Sequence, residues 1–104
     1  MDAISVHTLK NKLDAGESFT LIDVREPDEY AICNLKGQLI PLADLADRLG
    51  VLNTQAEYVV HCKMGGRSAH AVQLMQSAGF TNVKNLTGGI MAWIEAIDPS
   101  LKRY

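Results

Sequence analysis

The segment spanning residues 57–78 constrains the fold most, because it changes from a strand-like to a helix-like pattern across a short glycine-bearing loop. Residues 57–61 (EYVVH) are apolar at the centre and rich in aromatic and β-branched side chains, which predicts a buried strand. Residues 68–78 combine good helix formers with apolar residues at helical spacing, and Gly79 follows as a stop. Cys62 therefore leaves a strand and enters a loop that leads into a helix.

The loop that begins at Cys62 is a candidate cradle for a small anion. Backbone N–H groups in such a loop, together with the positive end of the next helix, converge on whatever the cysteine sulfur carries. The same field favours thiolate over thiol, which predicts that Cys62 is a catalytic nucleophile. The glycines of the loop let successive amides point inward. The predicted substrate-binding residues are Lys63, Met64, Gly65, Gly66, Arg67 and Ser68.

The length of this loop separates two chemistries. From Cys62 to Arg67 inclusive it has six residues, one fewer than the Cys-x5-Arg loop with which cysteine-dependent phosphatases surround a phosphate. A six-residue loop makes a tighter ring, better matched to a single extra sulfur atom on the cysteine. Phosphatase or arsenate reductase activity therefore ranks below sulfur chemistry.

Three segments in order resemble the rhodanese-like sulfurtransferases, and the resemblance covers nearly the whole chain. Residues 62–68 (CKMGGRS) are similar to the family loop Cys-x-x-Gly-x-Arg-Ser. Residues 21–30 (LIDVREPDEY) and 86–93 (LTGGIMAW) resemble its first and closing signatures. The resemblance implies a sulfurtransferase that works through a Cys62 persulfide, with thiosulfate or a persulfide protein as donor and no metal or organic cofactor. It also implies that Asp23 and Arg25 border the loop and support the site.

One departure points to a subgroup of the family. Many members have Gly-His-Ile-Pro-Gly-Ala after the first signature, whereas residues 33–38 read CNLKGQ here, with Asn34 in place of the histidine. This variant resembles the C-terminal rhodanese domain of adenylyltransferase–sulfurtransferases that serve molybdopterin and related sulfur-carrier pathways. The implied partners are a ubiquitin-like sulfur-carrier protein or an activating enzyme. Since the chain has no Gly-x-Gly-x-x-Gly fingerprint, we expect it to work alone or to meet such an enzyme as a separate chain.

Composition agrees with one ordinary globular domain over residues 1–104. The chain is 47% hydrophobic, and its formal charge of −2 gives no electrostatic reason to expect nucleic acid or an anionic membrane as a partner. We find no apolar stretch of membrane-spanning length and no signal-like N-terminus. Two cysteines without Cys-x-x-Cys spacing argue against a disulfide framework and against structural zinc. A reducing, cytoplasmic location is the expectation.

Helical and strand-like patterns alternate without a linker or repeat. The predicted strands are Phe19–Val24, Gln38–Ile40, Glu57–His61 and Asn82–Asn85. The predicted helices are Val6–Ala15 with Ser5 as N-cap, Pro27–Ile32, Leu42–Leu49, Ser68–Ala78 and Gly89–Ile97. This alternation, with the resemblance, predicts an α/β fold: a rhodanese-like domain with a mainly parallel, five-stranded open sheet and helices on both faces. Sites in such sheets gather at the carboxyl ends of strands, where Cys62 falls.

Several charged residues have more than one reading. Buried carboxylate and guanidinium groups are costly unless paired, so Asp23 and Arg25 are expected to form a structural ion pair, which can include Glu29. Arg67 either points inward or braces the end of the loop, in preference to a solvated surface position. Lys63 either helps to bind an anionic donor or is simply solvated.

The remaining candidates are expected to be structural. Cys33 is assigned to the core, and Trp93 is expected to anchor the last helix. Strand alternation should turn His61 away from the nucleophile, and His70 should be exposed on its helix. Met64 is expected at the mouth of the site or against a partner. A non-catalytic interaction module remains an alternative, although the intact loop around the cysteine counts against it.

Overall fold

The strands of the computed structural model, which describes residues 2–104, join into one parallel sheet. They are β1 (Ala3–Ile4), β2 (Thr20–Asp23), β3 (Gln38–Leu39), β4 (Tyr58–His61) and β5 (Val83–Leu86). Their order across the sheet is β1-β5-β4-β2-β3, and every neighbouring pair is parallel. The central strand β4 is buried along its whole length, as its apolar sequence predicts.

Helices connect the strands, as a parallel sheet requires. They are α1 (Val6–Asp14), α2 (Pro27–Ile32), α3 (Leu42–Arg48), α4 (Gly66–Ser77) and α5 (Gly89–Ala96). Ser5 caps α1 as predicted, since its side chain accepts a hydrogen bond from the Thr8 N–H at 3.1 Å. The second helix has the predicted bounds, and Pro27 stands at its start, where a missing N–H costs nothing.

Both faces of the sheet are covered by helices. Helices α3 and α4 pack together, and so do α1 and α5. Val60 contributes to the first buried cluster, with residues of α3 and α4, whereas its neighbour Val59 contributes to the second, with residues of α1 and α5. This alternation follows from the two-residue period of a strand. The predicted α/β fold, with a five-stranded parallel sheet between two layers of helices, is confirmed.

The structure adds one strand to those predicted and corrects the bounds of two helices. Residues 3–4 form an edge strand on β5, which no sequence pattern revealed because two residues are too short to show a period. Helix α4 begins at Gly66, two residues before the predicted Ser68, because Gly65 serves as its N-cap with φ 118°. Gly50 does not end the preceding helix abruptly, since it lies within a turn of 3₁₀ helix over Leu49–Val51.

The sheet brings the candidate residues to one edge. Asp23 and His61 are register partners at the carboxyl ends of β2 and β4, so Cys62 emerges beside the end of β2. Helix α4, which follows Cys62, packs on β5. No helix within residues 2–104 has both the length and the apolar character needed to span a membrane.

Candidate active site

The sulfur of Cys62 lies inside the loop and is surrounded by hydrogen-bond donors. The Gly65 N–H donates to Sγ at 3.0 Å, and the Ser68 hydroxyl lies 3.3 Å from it. Burial of the fully enclosed Cys62 raises the pKa of its thiol, but the Ser68 hydroxyl and the N–H groups of Ser68, Gly65 and Met64 outweigh burial and hold that pKa below its ordinary value. The loop therefore favours a thiolate, as its sequence predicts.

The start of α4 creates this arrangement. Gly65 adopts a left-handed conformation with φ 118°, which an L-residue with a side chain adopts only at a cost. This conformation turns the chain from the loop into the helix, so that the Ser68 N–H in the first turn of α4 reaches the sulfur. The Gly65 carbonyl in turn accepts the Ala69 N–H at 3.0 Å, which starts the helical hydrogen-bond pattern.

The other end of the cradle is held by the N-terminus of α5. The Ile90 N–H donates to the Cys62 carbonyl at 3.0 Å, and the Met91 N–H donates to the Lys63 carbonyl at 3.1 Å. Two N–H groups that a helix start leaves unpaired thus bind the loop backbone. A Cβ on Gly89 would stand 2.6 Å from the Cys62 carbonyl oxygen and 2.5 Å from that of Lys63, so only glycine permits this approach.

Arg67 braces the loop and does not point at the sulfur. Its guanidinium donates to both carboxylate oxygens of Glu29 on α2, at 2.6 and 2.9 Å. This pairing with Arg67, supported by the Glu26 N–H and the Tyr104 hydroxyl, lowers the pKa of Glu29 to about 2, although burial opposes it. The bracing role expected for Arg67 is thus the one observed.

Asp23 and Arg25 form the predicted ion pair, and both side chains are fully buried. The Arg25 guanidinium donates to the two Asp23 carboxylate oxygens, with Nη2 at 2.7 Å from Oδ2. It also donates to the Cys33 carbonyl at 2.8 Å and to the Tyr104 hydroxyl at 2.9 Å. The suggestion that the Glu29 carboxylate joins this pair is wrong, because Glu29 offers Arg25 only its backbone carbonyl, at 3.4 Å.

Tyr104 links the two ion pairs, a role that sequence reasoning missed. Its hydroxyl accepts from Arg25 and donates to Glu29 Oε2 at 2.7 Å. The Lys63 ammonium lies 4.4 Å from the centre of the Tyr104 ring, a cation–π contact that neither reading of Lys63 anticipated. Because Tyr104 is 75 residues from Glu29 in the sequence, no local sequence pattern predicts that the two side chains meet.

The side chains expected to be structural lie largely where predicted. His61 points towards Asp23, with Nε2 3.6 Å from Oδ2, and burial lowers the pKa of its imidazole. His70 is exposed on α4, and Trp93 is buried on α5. Cys33 is buried and unbonded to another cysteine. Met64 is 70% exposed on the loop itself.

Asn85 is a second residue that sequence reasoning missed. It lies on β5, and its amide oxygen is 2.5 Å from the Ser68 hydroxyl. Its Nδ2 donates to the Gly65 carbonyl at 3.3 Å. The available signal was an asparagine two residues after Val83, and therefore on the same face of a predicted strand, because a buried amide requires partners.

Taken together, these residues can stabilise a charge centred on one sulfur. The Glu29–Arg67 pair and the N-terminus of α5 hold the loop, while its own amides and the Ser68 hydroxyl reach Sγ. Within residues 2–104, His, Cys, Asp and Glu side chains form no cluster of three or more that could hold a metal ion. The assembled donors suit a cysteine nucleophile whose anionic form is held in place by dipoles.

The Glu29–Arg67 pair makes the free energy of unfolding depend on pH. The pKa of Glu29 falls on folding, so the pair stabilises the protein fully above about pH 4.5 and loses this contribution as the pH falls towards about 2. Glu29→Gln is expected to lower the free energy of unfolding at pH 6 by roughly 1 to 2 kcal/mol, because the partly exposed Arg67 is screened by water. Urea unfolding of both proteins from pH 6 to pH 2.5 measures this difference, which should shrink as the pH falls.

Glu95→Gln provides the control for this experiment, since Glu95 is an exposed glutamate on α5. It should change the free energy of unfolding by less than about 0.5 kcal/mol at either pH. Equal stabilities of wild type and Glu29→Gln at pH 6 would show that the pair contributes nothing.

Comparison with known proteins agrees with this geometry. The sequence profile described as the rhodanese-like domain matches residues 5–96. The chain is 38% identical over 104 residues to "Probable adenylyltransferase/sulfurtransferase MoeZ" of Mycobacterium tuberculosis; the match covers 97% of the chain but only 26% of MoeZ. It thus corresponds to about a quarter of that relative.

Two solved structures match the chain along nearly their whole lengths. A rhodanese-like domain protein from Staphylococcus aureus superposes with a TM-score of 0.84 at 31% identity, covering 100% of this chain and 99% of that one. The human single-domain sulfurtransferase TSTD1 gives a TM-score of 0.83 at 28% identity, covering 92% and 97%. The similarity therefore extends to proteins of comparable size.

Proposed function

Because the chain belongs to the rhodanese-like family of sulfurtransferases and sulfur carriers, we propose that it transfers sulfane sulfur through a persulfide on Cys62. The donor is thiosulfate or the persulfide of another protein, and the acceptor is a nucleophile. The observation that carries this proposal is the set of donors converging on one sulfur, with the Gly65 N–H at 3.0 Å and the Ser68 hydroxyl at 3.3 Å. Such a set favours an anion centred on a single atom over a neutral thiol.

The proposed reaction has two balanced steps. The Cys62 thiolate attacks the outer sulfur of thiosulfate; a sulfur–sulfur bond forms to Cys62, the bond within thiosulfate breaks, and sulfite leaves with the electron pair. An acceptor such as cyanide then attacks the outer sulfur, the new bond breaks, and the thiolate is restored as thiocyanate leaves. The cycle is covalent and ping-pong. Because Cys62 has no exposed surface, the loop opens locally before a donor reaches the sulfur.

The loop residues have separate proposed roles. The amides of Met64, Gly65 and Ser68 stabilise the charge on the sulfur, and Gly66 is the first residue of α4. The positive charge of Lys63 contributes to the potential at the mouth of the site. Arg67 acts through its pairing with Glu29, which fixes the end of the loop.

The supporting ion pair and the surroundings complete the proposal. Asp23 and Arg25 hold the end of β2 against the segments that carry Cys33 and Tyr104. They therefore support the site indirectly, through these segments. The relationship to MoeZ, named an adenylyltransferase/sulfurtransferase, favours a ubiquitin-like sulfur-carrier protein or an activating enzyme as a partner. A cytoplasmic location would keep the Cys62 thiol reduced.

The direct test of this function is intact-mass measurement after treatment with thiosulfate. We expect a gain of about 32 Da, one sulfur, which is reversed by cyanide. A Cys33→Ala variant should gain the same mass, because Cys33 is buried apart from the loop amides, whereas Cys62→Ser should gain nothing. A persulfide that persists without Cys62 would refute the assignment of the nucleophile.

Loop size provides a second prediction, against the phosphatase alternative. The wild-type protein should hydrolyse aryl phosphates no faster than Cys62→Ser, because the six-residue loop is tight and Arg67 is engaged with Glu29. Insertion of one glycine between Gly65 and Gly66 should slow sulfur transfer at least about tenfold, since it moves the Gly65 and Ser68 donors away from Sγ. Paired assays with thiosulfate and an aryl phosphate measure both activities. Phosphatase turnover by the wild type that depends on Cys62 would favour the alternative.

A further inference from the structure

A buried hydroxyl connects the sulfur to a strand that the reaction does not otherwise use. The Ser68 hydroxyl lies 2.5 Å from Asn85 Oδ1, 3.3 Å from Cys62 Sγ and 3.3 Å from the Gly65 carbonyl oxygen. Ser68 is fully buried and Asn85 is 9% exposed, so water competes little for these bonds. A hydroxyl has one proton to donate, and the amide oxygen and a thiolate sulfur are both acceptors for it.

The orientation of the Asn85 amide is set by its second contact. Nδ2 donates to the Gly65 carbonyl at 3.3 Å, which leaves Oδ1 facing the Ser68 hydroxyl. The reversed amide would place Oδ1 against the Gly65 carbonyl oxygen, and two acceptors would then face each other. Asn85 therefore presents an acceptor to Ser68 as a fixed feature of the fold.

We infer that Asn85 is a positioning residue that competes with Cys62 for the Ser68 hydroxyl. When the sulfur is a thiol, its S–H donates to Ser68 Oγ and the hydroxyl donates to Asn85. When the sulfur is an anion, the hydroxyl rotates about its Cβ–Oγ bond and donates to Sγ, and the bond to Asn85 is lost. No covalent bond breaks in this change, which needs only a rotation of the hydroxyl.

This competition predicts the direction in which Asn85 changes the Cys62 pKa. The short bond to Asn85 belongs to the thiol state, so Asn85 stabilises the thiol relative to the thiolate. It thereby opposes the donors of the loop, which hold the Cys62 pKa below its ordinary value. Loss of the acceptor at position 85 should make Cys62 more acidic, not less.

The inference predicts a change in the Cys62 pKa that is opposite in sign to the change expected if Asn85 had a purely structural role. If Asn85 only tied Gly65 to β5, its loss would loosen the loop, weaken the Gly65 N–H bond to Sγ and raise the Cys62 pKa. The inference rests on the proposed function only in taking Cys62 as the reacting residue. Its test measures acidity and requires no sulfur transfer.

The test replaces Asn85 with leucine, which has similar volume and no acceptor. The Cys62 pKa is measured from the ultraviolet absorbance of the thiolate as a function of pH, in a Cys33→Ala background. The same protein with Cys62→Ser gives the change in absorbance that comes from the tyrosines alone, which is subtracted. We expect Asn85→Leu to lower the pKa by about half a unit, which is roughly threefold more thiolate at a pH below the pKa. In a Ser68→Ala background the same substitution should have no effect, because the shared hydroxyl is gone.

Two further variants make the result decisive. Thr87→Val, at an exposed site just beyond β5, should leave the Cys62 pKa unchanged. Asn85→Val, which suits a strand, repeats the measurement if the leucine variant does not fold. A pKa that is unchanged or raised in Asn85→Leu, or an equal shift with and without Ser68, would overturn the inference. Sulfur uptake from thiosulfate, measured separately by mass, reports whether the proposed function itself holds.

Discussion

Cys62→Ser is expected to reduce thiosulfate:cyanide sulfur transfer to the uncatalysed background while the protein remains folded. A serine hydroxyl ionises far above neutral pH and cannot form the sulfur–sulfur bond on which the cycle depends. It can still accept the Gly65 N–H, so the loop keeps its partner. The change in the free energy of unfolding should therefore stay within about 1 kcal/mol. Steady-state assays together with urea unfolding measure both quantities.

Cys33→Ser serves as the matched control for this experiment. Cys33 is also a buried free cysteine, but it packs with Ile90 and Ile94 in a separate apolar cluster. Its replacement should cost stability, because a hydroxyl is then buried among apolar groups, and should leave the turnover of the folded fraction intact. Turnover by Cys62→Ser above the rate without enzyme would contradict the persulfide mechanism.

Gly89→Ala is expected to destabilise the protein more than the addition of one methyl group at any other residue that supports the Cys62 loop. The added Cβ would lie 2.5 Å from the Lys63 carbonyl oxygen and 2.6 Å from that of Cys62, both backbone atoms that cannot move alone. Helix α5 must then withdraw, and the bonds from the Ile90 and Met91 N–H groups to the loop are lost. We expect the free energy of unfolding to fall by roughly 3 kcal/mol or more, from backbone strain and two broken buried hydrogen bonds.

Gly16→Ala separates the two causes of this effect. Gly16 has φ 66° and Gly89 has φ 60°, so alanine suffers similar backbone strain at either position. A Cβ at Gly16 meets nothing within 4 Å, and the expected loss is only about 1 kcal/mol with normal sulfur transfer. Urea unfolding and the transfer assay on both variants test the prediction. Equal losses would show that the contact between α5 and the loop contributes nothing.

The alternation of helices and strands and the place of Cys62 at the end of a strand could be predicted because their signals are local. Residues 57–79 carry a strand pattern, a glycine loop and a helix pattern in immediate succession, and residue type, glycine position and periodicity reveal them in turn. The bounds of α2 were correct because Pro27 marks its start. β1 could not be found in this way, since two exposed or half-exposed residues gain their strand conformation only from pairing with β5.

The partners of the charged residues depended on distant parts of the chain. Asp23 and Arg25 are two positions apart, so their pairing could be predicted from the cost of burying either charge alone. Glu29 was grouped with them because it is near in sequence, yet Arg67, 38 residues away, binds its carboxylate. Tyr104 joins both pairs from 75 residues beyond Glu29.

Sequence patterns were sufficient to predict the parallel α/β fold, the place of Cys62 at the end of a strand and the glycine loop from which the Gly65 amide reaches its sulfur. These features follow from periodicity, from chain direction and from the absence of a side chain at glycine, all of which are properties of short segments of the sequence. Packing between distant segments, in contrast, sets the bonds from α5 to the loop carbonyl oxygens and the contacts of the Ser68 hydroxyl with Asn85 and with the sulfur. Those contacts join separate strands and helices, and a hydrogen bond of about 3 Å exists only once packing has fixed both partners.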